Sequence, residues 1–124
     1  AKVTSSLKRK ATTTRSRSVS NGAYLALTTA PDLRKARRLS RTILRHADAA
    51  CVTLLPAAES IYRWKGRVET SREYVLLIKT VGAKIGALAR RIRTEHPYDT
   101  PEFIALSIDT GTPDYLDWLR SSCA

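Results

Sequence analysis

The sequence is short of several features, and each shortage excludes a class of protein. Its two cysteines, Cys51 and Cys123, are too few for a disulfide scaffold, and their separation excludes a CxxC zinc or redox pair. No apolar run approaches the ~20 residues that span a bilayer, so we expect no membrane insertion. The chain also lacks a P-loop, a GxSxG elbow and a Cys–His signature, so we do not expect an enzyme.

Positive charge is abundant but unevenly placed. The 124 residues carry 22 Lys and Arg against 11 Asp and Glu, a formal net charge of +11. Residues 1–21 hold six of the basic residues, no acidic residue and many Ser and Thr. We therefore predict a flexible basic tail over residues 1–21 and a folded domain over residues 22–124. The tail also resembles a transit segment, which would direct the protein to a mitochondrion or plastid; otherwise we expect a cytoplasmic protein.

The folded part has the pattern β-α-β-β-α-β followed by a C-terminal helix. Strands are predicted at 23–29, 50–64, 68–80 and 102–108. Helices are predicted from 32 with an apolar face that reaches Ala47, around 85–92 with an end at His96-Pro97, and from 112. Pro56 predicts a bend or bulge in the second strand, and Lys65-Gly66 predicts a hairpin turn. The order predicts a ferredoxin-like α+β sandwich, with two helices against one face of a four-stranded sheet.

The predicted sheet has a second face that no helix covers. Its strands carry Tyr62, Trp64, Tyr74 and Val75, and an uncovered apolar surface of this kind favours contact with a partner chain. The central hairpin, roughly residues 50–80, exceeds the usual strand length of ~5–6 residues and is expected to project from the domain. We therefore expect an oligomer.

Arginines line the outer faces of both predicted helices. Such faces can bind nucleic acid, but the aromatic pattern of an RNA-binding sheet is absent and Phe103 is the only phenylalanine. From the sequence we favour a solvated helix face and expect no nucleic-acid partner.

Six short motifs occur in a fixed order along the chain. They are Thr29-Ala30-Pro31-Asp32, Ala49-Ala50-Cys51-Val52, Ser60-Ile61-Tyr62-Arg63-Trp64-Lys65-Gly66, Lys79-Thr80, His96-Pro97-Tyr98-Asp99-Thr100-Pro101-Glu102 and Tyr115-Leu116-Asp117-Trp118. In this order they resemble the CutA family, the divalent-cation tolerance proteins, over about residues 23–121. The resemblance implies a ferredoxin-like protomer in a homotrimer similar to the PII signal proteins. It also implies a role in tolerance of copper and other divalent metals, without an established reaction.

Three residues are candidate ligands for a divalent metal, with copper the expected ion and no metal required for folding. His96, beside Pro97 on a loop expected to be exposed, offers an imidazole; Glu102 offers a carboxylate oxygen, and Cys51 a thiolate. The alternatives are that His96 caps its helix and that Cys51 is a small buried apolar residue, which we favour for Cys51. Some members of the family carry a cysteine where this chain has Thr28, so its soft-metal site lacks that sulfur.

The resemblance also indicates clefts between subunits as a ligand site, near Tyr62, Trp64, Glu73, Lys79 and Tyr98. Glu73 lies in an otherwise apolar strand, so we expect it to pair with Lys or Arg across a subunit boundary. For Tyr62 and Trp64 we favour trimer packing over ligand contact. Two functions follow: a trimeric copper-binding tolerance protein, or a PII-like signalling module that binds a small ligand or nucleotide in these clefts.

Overall fold

Four strands and three α-helices make up residues 22–124, the part of the chain that the structure, a computed structural model, describes. The strands are β1 (Ala23–Ala30), β2 (Cys51–Trp64), β3 (Arg67–Val81) and β4 (Ile104–Ser107), and the helices are α1 (Leu33–Arg45), α2 (Ile85–Glu95) and α3 (Pro113–Ser122). The predicted order of elements is confirmed, although β4 is shorter than the predicted strand at 102–108. The predicted tail over residues 1–21 lies outside the described residues. In the described part, no helix has both the length and the apolarity to cross a membrane.

The strands form one antiparallel sheet in the order β2-β3-β1-β4. Both α1 and α2 pack against the same face of this sheet, which confirms the predicted ferredoxin-like sandwich. The core between the two layers consists of small residues of β1, larger ones of β3 and the inner faces of the helices. Its fully or nearly fully buried members are Ala26, Ala30, Ala36, Leu39, Ile43, Ala49, Leu76, Ile78, Leu88 and Ile92.

Local signals determine where the first two helices begin and end. Asp32 caps α1, because its Oδ1 accepts the backbone N–H of Lys35 at 2.8 Å. The apolar periodicity predicted a helical face reaching Ala47, but the helix ends at Arg45 and Ala47 has a left-handed φ of 56°. At the other helix, α2 ends at Glu95, and His96 is extended before Pro97, as predicted.

The hairpin of β2 and β3 contains a predicted turn and a predicted bulge. Lys65 and Gly66 both have positive φ, 51° and 79°, as a two-residue turn of matching twist requires. Farther from the turn, Leu55 is opposite Val75 and Ala58 is opposite Glu73, so β2 has one residue more than β3 between these pairs. This bulge at Pro56 and Ala57 confirms the predicted break in the strand.

The open face of the sheet, on the side away from α1 and α2, differs from the prediction in one residue. Tyr74 packs against the core under the helices, because it is paired with Ala30 and alternates with Glu73 and Val75. Five large apolar side chains of this open face are 42–52% exposed: Leu55, Tyr62, Trp64, Ile104 and Leu106. The structure therefore confirms an apolar face that α1 and α2 leave uncovered, without Tyr74, although α3 packs against the end of this face at Ala23.

Thr28 lowers the stability of the core. It is fully buried on the helix-covered side of β1, and its hydroxyl has no hydrogen-bond partner in the described part of the chain. A buried hydroxyl left unpaired costs roughly 1–3 kcal/mol. We expect Thr28→Val, which keeps the shape, to raise the free energy of unfolding by about 1 kcal/mol in urea denaturation.

Thr29 provides a matched control for this substitution. It lies next in β1 on the opposite face, and its hydroxyl donates to Glu73 at 3.1 Å. Thr29→Val is therefore expected to lower the stability that Thr28→Val raises. A loss of stability in Thr28→Val would contradict the assignment of an unpaired hydroxyl.

Candidate functional site

The carboxylate of Glu73 lies at the centre of a hydrogen-bond network on the open face. The residue is 8% exposed. Its Oε1 accepts the Ser60 hydroxyl at 2.7 Å, and its Oε2 accepts the hydroxyls of Thr29 at 3.1 Å and Tyr98 at 2.9 Å. All three donors are neutral, and no Lys or Arg of residues 22–124 forms an ion pair with this carboxylate. Within one protomer, the predicted partner of opposite charge is therefore not present.

Four separate segments supply this network. Thr29 is on β1 and Glu73 on the adjacent β3, where Thr29 is opposite Val75. Ser60 is on β2 beyond the bulge, opposite Ser71, and this register brings its hydroxyl to the Glu73 side of the sheet. Tyr98 follows α2. Because residues far apart in sequence meet here, the network forms only when the sheet and the segment after α2 are both in place.

The surroundings of Tyr98 keep its phenol protonated as a hydrogen-bond donor. Burial, followed by the hydrogen bond to the Glu73 carboxylate, raises the pKa of the Tyr98 phenol well above its usual value. The phenol therefore remains protonated near neutral pH and keeps donating to Glu73.

His96 is buried, with 8% of its surface exposed, where the sequence predicted an exposed loop. Its Nε2 donates to the Thr29 carbonyl oxygen at 2.6 Å, and its Nδ1 accepts the Tyr98 backbone N–H at 3.1 Å. A carbonyl only accepts and an amide N–H only donates, so these bonds require the tautomer with its proton on Nε2. In this arrangement neither ring nitrogen has a free lone pair, and His96 ties Thr29 and Tyr98 together around Glu73.

A cleft of about 660 Å³ opens next to this network. Three carboxylic residues and the two predicted aromatic residues are among its lining residues, and none of the lining residues is Lys, Arg or His. The lining consists of Thr29, Ser60, Ile61, Tyr62, Trp64, Ser71, Glu73, Tyr98, Asp99, Thr100 and Glu102. The structure thus brings together Tyr62, Trp64, Glu73, Tyr98 and Glu102 from the predicted site. Such a cleft offers oxygen ligands beside aromatic rings.

Cys51 and Lys79 lie elsewhere in the protomer. They are opposite each other in the pairing of β2 and β3, and Lys79 Nζ is 3.8 Å from Cys51 Sγ and 2.5 Å from Thr53 Oγ1. Six strand positions separate Lys79 from Glu73, a distance of about 20 Å along β3. Within one protomer, Cys51 therefore does not join His96 and Glu102. Residues 22–124 contain no group of three or more His, Cys, Asp or Glu side chains placed to hold a metal ion.

Sequence reasoning did not identify five polar residues that line the cleft: Thr29, Ser60, Ser71, Asp99 and Thr100. Thr29 and Ser60 donate to Glu73, and Asp99 lines the cleft. Thr29, Ser60 and Asp99 all lie inside the motifs that carry the family resemblance. Membership in these motifs was the only feature of the sequence that could have pointed to these three residues. Their contacts with Glu73 and the cleft depend on strand register, which the motifs do not state.

Comparisons with known proteins agree on one family. Residues 24–122 match the family model described as CutA1 divalent ion tolerance protein. The divalent-cation tolerance protein CutA of Pectobacterium atrosepticum is 45% identical over 100 residues, which cover 81% of this chain and 91% of that protein. The crystal structure of CutA from Xylella fastidiosa has a TM-score of 0.81 at 43% identity, covering 83% of this chain and 99% of that one.

A second solved structure, the divalent cation tolerance protein of Thermus thermophilus, has a TM-score of 0.79 at 39% identity. It covers 81% of this chain and 97% of that one. These relatives are named for tolerance of cations rather than for a reaction. Sequence, fold and comparisons therefore agree, and the chain belongs to the CutA1 family of divalent ion tolerance proteins.

Proposed function

We propose that this protein binds a divalent cation as a homotrimer, in the cleft around Glu73, and contributes to metal tolerance without catalysing a reaction. The observation that carries the proposal is the cleft itself, which is lined by three carboxylic residues and by no Lys, Arg or His. Carboxylate and hydroxyl oxygens are ligands for divalent cations. The names of the relatives, which specify divalent-cation tolerance, support the same reading.

The cation is shared between subunits. One protomer does not bring three acidic, histidine or cysteine side chains close enough to hold a metal within its described part. Glu73, Asp99 and Glu102 nevertheless line the same cleft. A neighbouring subunit that closes the cleft would supply the remaining ligands and draw these carboxylates together.

The trimer would form through the open sheet face. Leu106 and Ile104 on β4 are 52% and 50% exposed, and Leu55 at the other side of the sheet is 44% exposed. Exposed apolar surface that is continuous across a sheet is typical of a protein–protein interface. The hairpin carries Tyr62 and Trp64 on the same side, so its association with a neighbour would bring that chain to the cleft.

Copper is the cation that we expect to bind most tightly. Oxygen and nitrogen sites generally bind Cu²⁺ more strongly than Zn²⁺ or other first-row divalent ions. His96 would become a ligand only by giving up the Tyr98 N–H at Nδ1 or the proton on Nε2. Cys51 lies apart from the cleft and beside Lys79, so we do not assign it as a ligand of the cation in the cleft.

Titration calorimetry tests this proposal. We expect affinity to fall in the order Cu²⁺, Zn²⁺, Mg²⁺ for the wild-type protein, and to be weaker for a double variant, His96→Ala with Glu102→Ala. In that variant Glu102 is lost as an oxygen ligand and His96 no longer holds Tyr98 against Glu73. Equal copper affinity in the wild-type and double-variant proteins would contradict the proposal.

A small organic ligand in the same cleft is the second candidate function. The volume of about 660 Å³ is in the range of small-molecule sites, and the Tyr62 and Trp64 rings offer a surface for a planar group. A ligand that binds only the folded protein raises its melting temperature. Shifts with nucleotides or metabolites in a thermal screen, and none with cations, would favour this function.

The cellular compartment of the protein depends on what residues 1–21 do. We propose that the protein works in the cytoplasm, or in a mitochondrion or plastid if residues 1–21 act as a transit segment. Fusing residues 1–21 to a fluorescent protein would distinguish these cases by where the fluorescence accumulates.

A further inference from the structure

The outer face of α1 carries a row of arginines. Arg34, Arg37, Arg41 and Arg45 follow one another at spacings of three, four and four residues, and all four are exposed. At a rise of 1.5 Å per residue the row extends about 16 Å along the helix. We call these four residues the arginine stripe.

The arginines of the stripe form no ion pairs in the described part of the chain. In addition, α1 itself contains no Asp or Glu. The helix cap Asp32 pairs with Lys35 at 3.1 Å rather than with the stripe. On α2, by contrast, Arg91 pairs with the buried Asp48 at 2.8 Å.

This arrangement is unfavourable for the isolated protein. Like charges three and four residues apart on a helix repel one another, and the stripe contains three such neighbouring pairs. An anion bound along the stripe would relieve this repulsion. Glu73, Asp99 and Glu102 are too far away to do so, since they line the cleft on the open face of the sheet, which is the side away from α1. Asp32 is near Arg34 at the start of α1, but its ion pair is with Lys35.

The guanidinium groups border a shallow groove. Its volume is about 600 Å³, and it is lined by Leu33, Arg38 and the four arginines of the stripe. Arginine binds phosphate with two parallel hydrogen bonds, so a row of arginines fits a row of phosphates. The lining contains no aromatic side chain on which a base would stack. We propose that the arginine stripe binds the phosphate backbone of a nucleic acid without reading its bases.

A membrane fits the same face less well. Helices that lie on anionic bilayers insert their apolar side among the lipids. The apolar side of α1, with Ala36, Leu39 and Ile43, is instead buried in the core. The sequence alone favoured a solvated face. The structure adds two observations: the arginines of the stripe form no ion pairs within residues 22–124, and they line a groove.

The test uses the 124-residue chain and a labelled oligonucleotide of mixed sequence, with binding followed by fluorescence anisotropy over a salt series. The stripe variant replaces Arg34, Arg37 and Arg41 with Gln. We expect the slope of log affinity against log salt to fall by about 3 in magnitude, with similar weakening for unrelated sequences.

Two matched variants remove the same charge elsewhere. One carries Arg63→Gln, Arg67→Gln and Arg72→Gln on the hairpin, and the other Lys8→Gln, Arg9→Gln and Lys10→Gln in the basic N-terminal segment. We expect both to keep most of the wild-type slope. Circular dichroism spectra that match the wild-type spectrum establish that each variant is folded.

Three results would overturn the proposal. The first is a stripe variant that binds as well as the hairpin variant. The second is a loss of binding in the Lys8, Arg9 and Lys10 variant alone, which would assign the effect to that segment. The third is stripe-dependent sedimentation with phosphatidylserine vesicles without oligonucleotide binding, which would make the partner a membrane.

Discussion

Ile104→Lys is expected to convert the proposed trimer into monomers. Ile104 is on the edge strand β4, opposite Leu27, and half of its side chain is exposed on the open face. Light scattering after size-exclusion chromatography should give a mass near three times the 13.8 kDa of one chain for the wild-type protein. The variant should give the mass of one chain.

The size of this effect follows from burial at a symmetric interface. Complete burial of an isoleucine side chain contributes about 1.5–3 kcal/mol, of which about half remains to be gained at Ile104, since it is already half covered in the protomer. A trimer repeats this contact in every subunit. A lysine at the same position would have to give up its hydration when the interface forms, which costs more than the lost burial. The isolated protomer should tolerate the change, because the lysine remains in water there.

Leu44→Lys is the matched control. Leu44 is 42% exposed, close to the 50% of Ile104, but it lies on α1 at the opposite side of the molecule. We expect this variant to keep the wild-type mass. Dissociation of both variants, or of neither, would contradict the assignment of the open face as the trimer interface.

Glu73→Gln is expected to weaken divalent-cation binding by about tenfold or more, which corresponds to about 1.4 kcal/mol. The amide has no negative charge, and its neutral oxygen is a poorer ligand than a carboxylate. The fold should persist, because the three hydroxyls around this side chain accept as well as donate hydrogen bonds. Calorimetric titration with Cu²⁺ measures the change, and urea denaturation verifies the fold.

Glu59→Gln removes the same charge one strand away. Glu59 is exposed on β2, opposite Arg72, and does not line the cleft. We expect its copper affinity to remain that of the wild-type protein. If Glu59→Gln and Glu73→Gln weaken binding equally, the effect is one of overall charge, and the cleft around Glu73 is not the site.

The architecture was predictable because its signals are local. Proline marks the start of α1 and the end of α2, and Lys65-Gly66 marks the hairpin turn. Apolar spacing indicates the helices themselves, although it continued two residues past the end of α1. Each of these signals acts over a few residues. Tyr74 was placed on the wrong face for a related reason. It lies in a run from Tyr74 to Ile78 without polar residues, and such a run does not indicate which positions face the helices.

The site was predictable only in part, because its contacts are long-range. Glu73 was identified as a lone charge in an apolar strand, and Tyr62 and Trp64 as aromatics of the hairpin. The neutral donors of Glu73 were not, since their positions depend on register. Likewise, His96 was expected to be exposed, and it is buried because the segment after α2 folds back onto Thr29, 67 positions away in the chain.

The bulge in β2 determines the direction of the hairpin rather than its pairing. Deleting Ala57 would leave Leu55 opposite Val75 and Ala58 opposite Glu73, so each residue of the outer hairpin would keep its present neighbour. A bulge bends its strand and increases the local twist, however, and the deletion would straighten the hairpin. Ala57 does not itself line the cleft. This one extra residue nevertheless determines the direction in which Tyr62 and Trp64 point, and therefore the width of the cleft.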